Sequence, residues 1–187
     1  MDLPFSAPSS HHLLGTDVLG RDVLSRVLSG GTTVVVMSLL TAVLGVTLGA
    51  AIGVSAGFHR GWVDQLLMRS TDVMLALPTI VFVLLFVSVF GNKLWMLVVL
   101  VAVAHAAQVA RVLRGVTLDV REQEYIEYAE AVGASPLRII LTQVLPSISA
   151  PLRVEFGLRT VWSIVIFASL SVLGQGVSAP TADWGSW

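Results

Sequence analysis

The sequence predicts an all-α membrane protein, and three observations carry that prediction. Hydrophobic residues make up 55% of the 187 residues and charged residues only 12%, with a mean hydropathy of +0.85. A soluble domain averages about 25% charged residues, so this chain is too poor in charge to build a water-facing surface. Four segments are apolar over a length near the roughly 20 residues that a membrane helix needs. Most of the basic residues lie in the connections between those segments.

The spans fall at about 32–58, 73–90, 94–113 and 147–173. The chain thus divides into a polar segment, 1–31, and a transmembrane domain, 32–187. The first span carries Gly45, Gly49, Gly53 and Gly57, four residues apart and so on one slowly drifting helix face. Small residues at that spacing let another helix backbone approach closely in lipid. The partner is either a helix of the same chain or a second copy. Pro78 lies inside the second span, where it kinks the helix or starts it, either as structure or as part of a substrate path. His105 and Gln108 share a face of the third span and point to an interhelical hydrogen bond or to a proton relay. The fourth span holds Arg153, Glu155 and Arg159 in its first half. The apolar stretch from Thr160 to Leu173 is too short to cross alone, so the helix includes the charged part. Glu155 precedes Arg159 by four residues, the favourable order for a helical ion pair. The pair is either structural or, with Pro78, part of a translocation path.

Arg60 and Arg69 lie between spans one and two, Arg111 at the end of span three, and Arg114, Arg121 and Arg138 between spans three and four. Placing both loops in the cytoplasm leaves Arg21, Arg26 and Lys93 outside. This orientation makes 1–31 extracytoplasmic and sends both chain ends outside. Residues 1–30 hold no short apolar run with a cleavage site, so no signal peptide is expected.

The connection 120–146 is too polar to span and too patterned for an irregular loop. From Glu122 to Val132 it reads as a short acidic helix, with Glu122, Glu124, Glu127 and Glu130 around Ile126 and Ala129. Gly133 supplies a helix stop, because glycine takes the left-handed conformation cheaply. Ser135 and Pro136 then read as cap and first residue of a second helix. Leu137, Ile140, Leu141 and Val144 give that helix an apolar face, and Pro146 leads into the fourth span. Two short helices joined by a glycine turn make a lever that a partner can grip. The alternative, an amphipathic hairpin on lipid headgroups, is opposed by the acidic first helix.

Other chemistry is excluded. A net charge of −1 gives no basic field for nucleic acid, and the chain has no cysteine. His11 and His12 are adjacent while His59 and His105 stand alone, without metal-ligand spacing. No phosphate-binding loop of the GxxxxGK[ST] form occurs, so the chain is expected not to be an enzyme.

Glu127-Tyr128-Ala129, Gly133 and Leu145-Pro146 resemble the "EAA…G…LP" loop of bacterial ABC importer permeases. Gly15-Thr16-Asp17 through Gly20-Arg21-Asp22 is similar to the "GTDxLGRD" signature of the dipeptide, oligopeptide and nickel group. Ala56-Gly57, Gly61 to Asp64, Met68-Arg69 and Asp72 resemble that group's next loop. Leu173-Gly174, Gly176, Pro180 and Trp184-Gly185 resemble the segment before its last helix. The resemblance runs from His12 onward and implies a type I ABC importer permease core in the plasma membrane. It also implies a homologous second permease, two cytoplasmic ATPases that hold ATP and Mg, and an extracytoplasmic solute-binding protein. This chain itself is then expected to bind no cofactor. Glu127, Tyr128, Ala129, Gly133, Ser135, Pro136 and Arg138 would form the ATPase-docking surface. The solute, whether dipeptide, oligopeptide, nickel chelate or glutathione, is left open. The chain departs from the group at Arg153 and Arg159, where small or apolar residues are usual, and at Phe167 and Gln175. It reads as a permease of this group, the "C-type" subunit, without its first and last helices, and the alternative is a truncated, non-transporting remnant.

Overall fold

A computed structural model describes residues 4–9 and 12–175. His11, Gly176, Pro180, Trp184 and Gly185, named above, lie outside the described residues. Helices dominate, and among the described residues the only β pairing is an isolated antiparallel bridge between Thr16 and Asp22.

Helix α1 spans Val23–His59, 37 residues and about 56 Å at 1.5 Å per residue. It starts nine residues before the expected span because Asp22 caps it, its carboxylate accepting the backbone N–H of Ser25 at 2.9 Å. Arg60, in the left-handed region at φ +53°, breaks the chain sharply before α2, Gly61–Leu75. Then comes α3, Thr79–Phe90, only 12 residues and about 18 Å long. The expected second span is therefore not one straight helix. Helices α2 and α3 meet at 80° across residues 76–78, and Pro78 stands immediately before α3. Proline's missing N–H and fixed φ make it a helix starter here.

Helix α4, Leu94–Arg121, is continuous for 28 residues. Sequence reading places Arg114 and Arg121 in a loop after the third span, but both lie on this helix together with Arg111. Acidic partners on other elements neutralise them: Asp72 for Arg111, Asp64 for Arg114 and Glu130 for Arg121. Helix α5, Glu124–Ala131, is followed by Gly133 at φ +83°. Helix α6, Pro136–Ile139, widens into a π turn over Ile140–Val144, then a short α7, Leu145–Ser147, leads to α8, Ser149–Val172.

Two expectations for this connection fail. Ser135 makes no side-chain cap bond, although Pro136 does take the first helical position. Of the expected face Val144 is buried and Ile140 half-buried against the same core, but Leu137 and Leu141 are exposed, and Ile139 and Ile148 are buried in their place. The π turn explains the shift: its wider winding brings residues five apart onto one face, so Ile139 and Val144 align where α-helical spacing does not.

Helices α1 and α4 run parallel and touch along the glycine stripe. A Cβ on Gly45 would lie 3.0 Å from the Ala102 carbonyl, on Gly49 2.7 Å from that of Ala106, and on Gly53 2.4 Å from that of Ala110. On Gly57 it would lie 2.9 Å from the Arg114 carbonyl. Glycine is thus required at each turn, and the stripe packs within the chain. Val34, Met37, Val83, Val87, Leu97, Val101, Ile166 and Leu170 form one apolar core from α1, α3, α4 and α8. A second core joins Val46, Val54 and Phe58 of α1 and Val109 and Leu113 of α4 to Ile126, Ala129, Ile139, Val144 and Ile148. The connection between α4 and α8 is therefore packed onto the spans that flank it.

Candidate functional site

Two places carry the candidate residues. The first is inside the helix bundle. Arg159 is the eleventh residue of α8, about 15 Å along it, where an unpaired charge in lipid costs about 2.5–3.5 kcal/mol or more. Its Nε–H donates to Glu155 Oε2 at 3.0 Å on the same helix, and Nη1 donates to Gln108 Oε1 of α4. Glu155 is buried at 6% exposure, so the carboxylate is held in place by the guanidinium that it neutralises. One turn further on, the Ser163 hydroxyl donates to the Arg159 carbonyl at 2.7 Å. Its oxygen then accepts from His105 Nε2 at 3.1 Å, which assigns the proton of the ring to Nε2. His105 and Gln108 thus both bond across to α8, as an interhelical tie.

Pro78, Thr79, Ile80, Gln108, Arg159 and Trp162 wall a cavity of about 300 Å³. His105 and Ile166 complete its lining. The structure thus brings Pro78 and Arg159 to one cavity. Glu155 is not part of the lining and stands behind Arg159. Arg153 is exposed on α8 and takes no part. Ser163 and Trp162 were not singled out from the sequence. Ser163 lies four residues after Arg159, a spacing that could have drawn attention to it.

The second place is the connection between α4 and α8. Of the seven candidate docking residues, Glu127, Tyr128, Gly133, Ser135, Pro136 and Arg138 are exposed, Tyr128 at 73%. Ala129 is buried at 7% and faces the core beside Ile126, so it supports the surface without forming it. Polar ties hold this projection to the spans. Arg121 donates to Glu130 at 3.5 Å and stacks 4.9 Å above the Phe58 ring of α1. Arg60 donates to Glu122 at 3.0 Å, and Tyr125 shares a hydrogen bond with Ser147 at 3.2 Å. Beside it, Arg114 holds Asp64 through two parallel bonds, one at 2.6 Å, and Arg111 pairs with Asp72. These four residues line a polar cleft of about 450 Å³ between α2 and α4. The roles of Asp64 and Asp72 as partners to α4 were not read from the sequence. Among the described residues no cluster of His, Cys, Asp or Glu could hold a metal ion.

Residues 45–186 match the family model described as "Binding-protein-dependent transport system inner membrane component". Glutathione transport system permease protein GsiD of Pectobacterium atrosepticum is 37% identical over 179 residues, covering 96% of this chain and 60% of that protein. The protein of the same name from Escherichia coli is 39% identical over 185 residues, covering 97% and 60%. The chain therefore spans about 60% of the length of these curated relatives. Among solved structures, an inward-facing conformation of the MetNI methionine ABC transporter superposes with a TM-score of 0.73 at 19% identity. That alignment covers 82% of this chain and 76% of the other, a likeness of fold.

Proposed function

The chain belongs to the family of binding-protein-dependent transport system inner membrane components, and from that membership we propose that it is the permease subunit of an ATP-driven importer of peptides or a similar small solute. It is a multi-pass inner-membrane protein of a transport system, and such components are not themselves enzymes. In this reading a homologous second permease completes the path, an extracytoplasmic protein delivers the solute, and two cytoplasmic ATPases bind ATP and Mg. Glutathione, named for the relatives, is one candidate solute.

The observation that carries the proposal is the packing of α5 and the Gly133 turn. Ile126, Ala129, Ile139 and Val144 are buried in the core that also holds Phe58 and Leu113 of the spans. Glu127, Tyr128 and Arg138 meanwhile remain exposed. A partner that moves the exposed face moves the spans with it, because packed interiors transmit displacement instead of absorbing it. The acidic face suits a basic groove on the partner.

The test is copurification of the ATPase with the chain from membranes. Replacing Glu127 by Lys and Tyr128 by Ala is expected to reduce the recovered ATPase about tenfold or more, equivalent to about 1.4 kcal/mol of binding, without lowering the amount of chain. Undiminished recovery in both variants would overturn the docking role.

A further inference from the structure

The donors around the cavity beside Arg159 are not all used. Glu155 and Gln108 take two of the five N–H groups of the guanidinium, and among the described residues the others have no acceptor. In the same lining α3 begins at Thr79 and Ile80, with no side-chain cap. Its first backbone N–H groups are therefore also without intrahelical acceptors, and they carry the positive end of the helix dipole. His105, 2% exposed and also in the lining, leaves Nδ1 without a partner, but with the ring proton on Nε2 that atom is an acceptor and adds no donor. Gln108 contributes its oxygen to Arg159 and so turns its amide N–H groups elsewhere. Such a cavity, rich in donors and walled by Pro78 and Trp162, suits an acceptor-rich group on an otherwise apolar or amide-bearing solute. A carboxylate fits best, because two acceptor oxygens match a guanidinium fork and charge-assisted bonds are about twice as strong as neutral ones. A broken membrane span that aims a helix start at an anionic solute group is a recurring device in transporters.

We propose that this cavity is a transit site for a carboxylate of the translocated peptide, with Arg159 and the start of α3 as its donors and Glu155 as the residue that positions Arg159. The proposal rests on the peptide-importer reading and adds the chemical group recognised inside the membrane. It also gives Arg159 a role in selection.

The assay uses the complete transporter in proteoliposomes, with one peptide offered as the free acid or as its C-terminal amide at matched occupancy of the solute-binding protein. The wild type is expected to take up the acid about tenfold faster than the amide, a difference of about 1.4 kcal/mol. Arg159→Gln should bring the ratio close to one while leaving ATPase copurification unchanged, and Arg159→Lys should give an intermediate ratio. An equal rate for acid and amide in the wild type, or an unchanged ratio in Arg159→Gln, would overturn the site. The wild-type comparison alone decides if neither variant assembles. A wild-type transporter that moves neither peptide would instead overturn the peptide-importer reading, and the transit site with it.

Discussion

The carbonyl oxygen of Ala110 lies 2.4 Å from the point that a Cβ on Gly53 would occupy. No side chain adapts at that distance, because the obstacle is backbone. Helices α1 and α4 are therefore joined at a contact that only glycine permits, and both continue to the end of the bundle where the connection between α4 and α8 is packed.

Gly53→Ala is expected to force the two helices apart and destabilise the chain by about 1–3 kcal/mol or more, the usual range for overpacking. Gly115→Ala is the control, since its Cβ would meet nothing within 4 Å, and it should be neutral or slightly stabilising. Thermal denaturation of the detergent-purified protein compares the two. Equal melting temperatures would count against the close approach.

The Asp64–Arg114 pair anchors α2 to α4, with side-chain exposures of 15% and 33%. A bidentate charge-assisted pair of this kind contributes about 1.5–3 kcal/mol, less where water screens it. Asp64→Asn should loosen α2, seen as faster proteolysis near Arg69 in inside-out vesicles. In a double-mutant cycle Arg114→Gln should add little further. Fully additive losses would mean that the two side chains act independently.

At the other end, Asp17 accepts the backbone N–H groups of Arg21 at 2.9 Å and Leu19 at 2.8 Å. The Arg21 N–H foremost, then that of Leu19 and the Arg21 guanidinium, hold the carboxyl below its usual value of 3.8. A carboxyl lowered in the folded state stabilises the turn at pH above that usual value, and the stabilisation fades as pH falls through the lowered one. Hydrogen exchange at Arg21 should thus show constant protection from neutral pH down to about 5 after correction for intrinsic rates, and lose it only in stronger acid. Loss already near pH 6 would show that another group holds the turn.

Much of this fold was legible because membrane helices declare themselves by composition and period. The glycine stripe, the pairing of Glu155 with Arg159 and the stop at Gly133 all follow from spacing within one helix or turn. What escaped depends on partners distant in sequence. Arg114 reads as a loop charge until Asp64, 50 residues earlier, is seen to neutralise it on a continuous helix, as Asp72 does Arg111. Pro78 announced a break, but not that it would turn α3 by 80° and open a cavity against Arg159. The π turn at Ile140–Val144 hides a face that α-helical counting assigns to other residues.

The lever is tested most directly with one cysteine at Tyr128, since the chain has no other cysteine and this side chain is exposed. In inside-out vesicles a membrane-impermeant maleimide should label it, and a short bifunctional reagent should link it to the ATPase in a nucleotide-dependent yield. Labelling from the outer face of intact cells, or a link to the ATPase never found under any nucleotide condition, would contradict the assignment.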